Sequence, residues 1–96
     1  MDKKFEDVYS GMTFNYDKMD GVLGDLYQHL QDNPEDEMAR DLFNRLCVIC
    51  ENMVYSQKEF TNNYGDPSIK NGLIGNLDSK IGALHEAKDK LKQQNL

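Results

Sequence analysis

An all-α fold follows from three features of this sequence. Apolar residues recur at steps of three and four almost throughout, no stretch sustains a two-residue alternation, and two Pro-containing breaks interrupt the pattern. Three amphipathic helices joined by short connections must fold back on one another. The architecture expected is a small antiparallel three-helix bundle, or a long helical hairpin with a third helix, and dimerisation is one way for so thin a rod to complete its core.

Phe5, Val8, Met12, Met19, Val22 or Leu23, Leu26 and Leu30 mark the first helix, with Asn15 or Tyr16 filling the missing step. Gly11, Gly21 and Gly24 weaken it, since a mid-helix glycine costs about 1 kcal/mol relative to alanine. The reading places this helix at about 15–31, with residues 2–12 as a fraying extension or a separate turn. The second helix is read from Asn33 as N-cap and Pro34 as first helical residue, followed by the acids Glu35, Asp36 and Glu37 at the positive end of the helix dipole. Its stripe is Ala39, Leu42, Leu46, Ile49, Met53 and Phe60, widened by Met38, Phe43, Cys50 and Val54, and it runs to about Thr61. Asn62 to Pro67 ends it, because Asn and Gly accept left-handed backbone and Pro blocks continuation. The third helix starts at Pro67 or Ser68, capped by Asp66 or Ser68, with Ile74, Leu77, Ile81 and Leu84 as a heptad seam. Its polar end, from Lys88 onward, is expected to fray, so one domain spans 1–96 with 1–12 and 92–96 as loose ends.

Size and charge narrow the function. A chain of 96 residues holds one domain, with no room for a catalytic domain beside a binding domain. The formal net charge is −6, which argues against direct nucleic-acid binding through phosphates. No run approaches the ~20 apolar residues of a membrane span, and the start, Met1 to Asp7, lacks the apolar core of a signal peptide. A cytoplasmic protein is expected, unless another export route recognises it. Charge is uneven: residues 1–66 hold 14 acids and 6 bases, net −8, whereas residues 67–96 hold 3 and 5, net +2. The third helix can therefore pair with acidic neighbours.

The residues that could carry chemistry read better as structure. Cys47 and Cys50 form a C-x-x-C, but in mid-helix with no strand upstream, so they read as buried small hydrophobes. His29 lies one turn after Asp25, and His85 neighbours Glu86; neither has the companions that a zinc site or a catalytic triad needs. Gly72-Leu73-Ile74-Gly75 lacks the strand and the Lys-Ser/Thr pair of a phosphate loop. The glycines of the first and third helices read instead as surfaces for close helix packing, inside the bundle first and with a partner second. No enzyme, metal or cofactor is expected.

What remains is a surface. Five Met and five Tyr are many for this length. An aromatic rim with flexible Met suits an adaptable helix-binding face, and Tyr16, Met19, Tyr27 and Tyr55 are the candidate partner-binding residues. The function expected is a non-enzymatic interaction module that binds another protein, of the kind found as small bacterial or phage adaptors, chaperones or inhibitors. The alternatives are a self-assembling subunit, such as a homodimer, or an acidic decoy for a nucleic-acid-binding protein. The stretch Leu30-Gln31-Asp32-Asn33-Pro34-Glu35, leading into a long amphipathic helix, resembles the hairpin turn of small secretion-apparatus subunits and their chaperones.

Overall fold

Three long helices account for nearly all of the computed structural model, which describes residues 3–94: α1 (Lys3–Asp32), α2 (Glu37–Tyr64) and α3 (Pro67–Gln94). No strand occurs among the described residues. The helices run up, down and up in a rod of 48 × 19 × 15 Å. At 1.5 Å per residue the 30 residues of α1 already account for that length. Residues 3–12 are its first turns, continuous with the rest; residues 1, 2, 95 and 96 of the expected loose ends lie outside the described residues.

The turn between α1 and α2 corrects the expected start of the second helix. Asn33 does not cap α2. Its backbone and side-chain N–H groups both donate to His29 O, at 2.9 and 3.1 Å, closing the end of α1. Asp36 N–H then donates to Asn33 O at 3.1 Å, so Asn33 to Asp36 is a tight turn with Pro34 in its second place, where a preset φ is equally favourable. The N-cap is Asp36, whose Oδ1 accepts from Ala39 N–H at 3.0 Å. The likeness to secretion-subunit hairpins rested on Asn-Pro as a helix start, and that feature is absent. At the other connection Gly65 N–H donates to Thr61 O at 2.8 Å, and Asp66 Oδ1 accepts from Ser68 N–H and hydroxyl, both at 2.9 Å. No residue there has positive φ. Gly65 is needed for another reason: a Cβ on it would stand 2.6 Å from Thr61 O.

The core is a heptad seam running the whole length. Tyr16, Leu23 and Leu30 follow one another at seven-residue steps on α1, as do Leu77, Leu84 and Leu91 on α3. On α2 two interleaved series are buried: Phe43, Cys50 and Gln57, and Cys47, Val54 and Thr61. Leu91 is therefore core, within the stretch expected to fray. Two of the buried α2 residues are polar. Gln57 Nε2 donates to Thr13 Oγ1 at 2.9 Å and to Tyr9 O at 3.3 Å, and Thr61 Oγ1 returns to Gln57 O at 2.7 Å.

The three helices are not equivalent. α2 packs against both neighbours, whereas no Cα of α1 comes within 8 Å of one in α3 among the described residues. The two outer helices meet only through side chains, as where Lys80 Nζ sits 4.6 Å above the Tyr16 ring. On the α2–α3 side, Lys58 pairs with Asp78 at 2.8 Å and Lys88 with Glu51 at 3.5 Å. The pairing expected between the third helix and its acidic neighbours is seen on α2, where Lys88 meets Glu51. Arg40 ties the rod's end together, donating to Leu91 O at 3.1 Å and to Pro34 O.

Candidate interaction surface

The four residues expected to form one partner-binding rim do not share a surface. Tyr16 is only 5% exposed and belongs to the core, with Lys80 covering its ring. Tyr27 is half-buried, tilted against Phe43 at 6.1 Å, and lines a shallow groove between α1 and α3 floored by Phe43 and Cys47. Tyr55 stands exposed on α2 beside Lys58, Glu59 and Ile74. Met19 lies on the opposite side, packed on the edge of the core. Tyr16 lies inside because heptad packing turns every seventh residue inward whatever its polar tip, and Tyr16, Leu23 and Leu30 share that register.

Met19 does lead to a coherent surface. Val8, Met12, Met19, Val22 and Leu26 follow one another at steps of three, four or seven along α1. Leu42, Leu46, Ile49 and Met53 do the same on α2. All nine lie at intermediate or full exposure, and Val8, Val22, Leu42 and Ile49 are 38–46% exposed. They form one lane along the hairpin, on the side of α1 and α2 turned away from α3. Met12, Asn15, Ile49, Asn52, Met53 and Ser56 line a shallow depression at about mid-length.

This lane explains why the expected α2 stripe was half right. The stripe read from Leu42 to Phe60 is apolar, but the buried register is one step round the helix, at Phe43, Cys47, Cys50 and Val54. The apolar arc of α2 is wider than one neighbour can cover, and its surplus is the lane.

Both thiols are fully buried and free. Burial pushes Cys47 up to about 11 and Cys50 in the same direction, so both stay protonated and unreactive at neutral pH. His29 Nε2 lies 2.8 Å from Asp36 Oδ2, bridging the turn rather than meeting Asp25. The Ala39 N–H and then His29 hold the Asp36 carboxyl below its ordinary value. His85 Nε2 lies 3.7 Å from Glu51 Oε1, an enclosed oxygen without a hydrogen bond. Among the described residues no three His, Cys, Asp or Glu are grouped as a metal site.

The glycines do not serve close packing within the bundle. A Cβ added at Gly11, Gly21, Gly24, Gly72, Gly75 or Gly82 would meet nothing within 4 Å. Each of these positions is solvent-facing. No helix among the described residues is long and apolar enough to cross a membrane. Compared with family models, curated proteins and solved structures, the chain matches none of them.

Proposed function

We propose that this protein is a non-enzymatic protein-binding module whose working surface is the α1–α2 lane facing away from α3. One observation carries the reading: nine apolar side chains, four of them 38–46% exposed and the rest partly so, share one side of the hairpin in a molecule of net charge −6. Apolar patches of more than a few hundred Å² on soluble proteins mark interaction sites far more often than chance exposure. Met19, Leu26, Leu46 and Met53 pack on the edge of the core, and Val8, Val22, Leu42 and Ile49 stand exposed beyond them. Their Met content suits a surface that adapts to the shape it meets.

A photo-crosslinking residue placed at Ile49 tests this in the cell, with Ser79 on the outer side of α3 as control. The expected result is a discrete adduct from position 49 and none from position 79. Equal or absent crosslinking at the two positions rejects the lane as a binding surface.

A further inference from the structure

We infer that α3 is a hinged lid, which leaves the α1–α2 hairpin as a unit and bares Cys47 while α1 keeps Cys50 covered. The hinge is the connection of Gly65 and Asp66 between α2 and α3. The latch is Arg40 at the far end, whose guanidinium donates to Leu91 O at 3.1 Å and to Pro34 O in the hairpin turn. Because no Cα of α1 lies within 8 Å of one in α3 among the described residues, α3 departs without parting α1 from α2.

Three differences between the outer helices make α3 the one that leaves. All nine aromatic residues precede Pro67, so α3 sets no ring in the seam, whereas α1 buries Phe5 and Tyr16. A buried amide holds α1: Gln57 Nε2 donates to Thr13 Oγ1 at 2.9 Å, and losing α1 breaks that bond. On the α3 side the ties include the Lys58–Asp78 pair, which is partly open to water, where such a pair is weak. Beside it Glu51 Oε1 is enclosed, with Lys88 Nζ at 3.5 Å and His85 Nε2 at 3.7 Å, and neither makes a hydrogen bond to it. That oxygen regains water when α3 leaves, which lowers the cost of opening.

The two buried thiols face different helices. Cys47 lines the groove between α1 and α3 together with Leu84 and Ala87 of α3. After burial, the strongest influence on its thiol is Lys88 of α3, and on the Cys50 thiol it is Asp20 of α1. Cys50 also shares its seven-residue register with Gln57, which bonds to α1. Opening of the lid alone therefore exposes Cys47, whereas global unfolding exposes both.

Alkylation of the full chain by iodoacetamide under native conditions, with initial rates at each thiol read by tandem mass spectrometry, tests the lid. Each rate is divided by that of the same thiol in the urea-unfolded chain, which removes intrinsic reactivity. Cys47 should react ~10-fold or more faster than Cys50. Leu91→Ala, two turns beyond Leu84 on α3, should raise the Cys47 rate by a further ~10-fold or more and leave the Cys50 rate unchanged. Arg40→Gln, a milder change that opens the latch without touching the core, should raise the Cys47 rate ~5-fold. Equal normalised rates for the two thiols in the wild type overturn the lid. So does a Cys47 rate that neither variant moves, or a rise shared equally by Cys50 in both variants. The lane takes no part in this measurement, so its outcome is independent of crosslinking at position 49.

Discussion

The hairpin of α1 and α2 and the third helix are held by different physics. Between α1 and α2 the contacts are directional: Phe5 stacks on Phe60 at 5.1 Å and 7°, Tyr27 tilts on Phe43, and Gln57 donates across the seam to Thr13. Phe and Gln contacts of this kind fix register, since a shift of one residue would leave a buried amide unpaired. α3 is held by three fully buried leucines at seven-residue steps, by exposed or half-exposed ion pairs, and by Arg40 at its end. It also carries three glycines that touch nothing. The comparison teaches that the hairpin is the specified unit and α3 a lid over its seam, which is why the opposite side of the hairpin is left open.

The largest effect expected separates the two parts. Phe43→Ala removes a 2%-exposed ring from the hairpin seam beneath the groove and should cost about 3–5 kcal/mol of global stability. Leu91→Ala removes a core residue that only α3 contributes, and its cost of about 2–4 kcal/mol should fall mainly on that helix. Hydrogen exchange reads the difference. In Leu91→Ala the amides of α3 should lose protection while those of α2 keep it; in Phe43→Ala both should lose it together. Uniform loss in both variants would mean the three helices unfold as one unit.

The helix count, the third helix's cap and the position of the breaks were legible because they depend on local chemistry: Asp66 before Pro67 caps a helix in any context. The hairpin turn was not, because Pro34 suits the second place of a turn as well as the first turn of a helix, and only the Asp36–Ala39 hydrogen bond separates the two. Buried Cys47 and Cys50 were expected from their apolar flanks. Gln57 was missed, since a polar side chain gives no sign in sequence that its partner, here Thr13, lies across a seam, and Thr61, whose hydroxyl donates to Gln57 O on the same helix, was missed with it. The apolar lane was present in the stripe all along. Its openness was hidden, because periodicity shows that a face is apolar and not whether a neighbour covers it. Tyr16 was misplaced for the converse reason: its aromatic ring reads as a rim residue until the heptad register carries it inside.

Alkaline pH should weaken the hairpin seam. Burial raises Cys47 from 9.0 to about 11, and Cys50 in the same direction, while burial followed by nearby carboxylates raises Tyr16 from 10.0 to about 12. In each case the folded state holds its proton where the unfolded chain releases it. The stabilisation is complete below the unfolded values and is lost as pH rises from about 9 towards 11 and 12. Melting temperatures at pH 8, 9, 10 and 11 in reductant should fall more steeply in the wild type than in a Cys47→Ala, Cys50→Ala double variant. Parallel slopes would show that the two thiols do not titrate with folding. Salt should act on the other side of the comparison, since the Lys58–Asp78 pair is partly exposed and screened.

The smallest effect is the most discriminating about α3. Gly75 lies in mid-helix with open space where a Cβ would go, so Gly75→Ala should stabilise the monomer by about 0.5–1 kcal/mol through backbone entropy alone. The same change at Gly65 should destabilise, because its Cβ would press on the Thr61 carbonyl oxygen rather than on a flexible side chain. Urea titrations of both variants give the two signs directly. A gain at position 75 would show that the glycines of α3 are tolerated rather than used by the folded chain. A loss there would mean that this outer surface, and not only the lane across the hairpin, is occupied under the conditions of measurement, since only a neighbouring backbone could penalise a methyl group that meets nothing within 4 Å in the single chain.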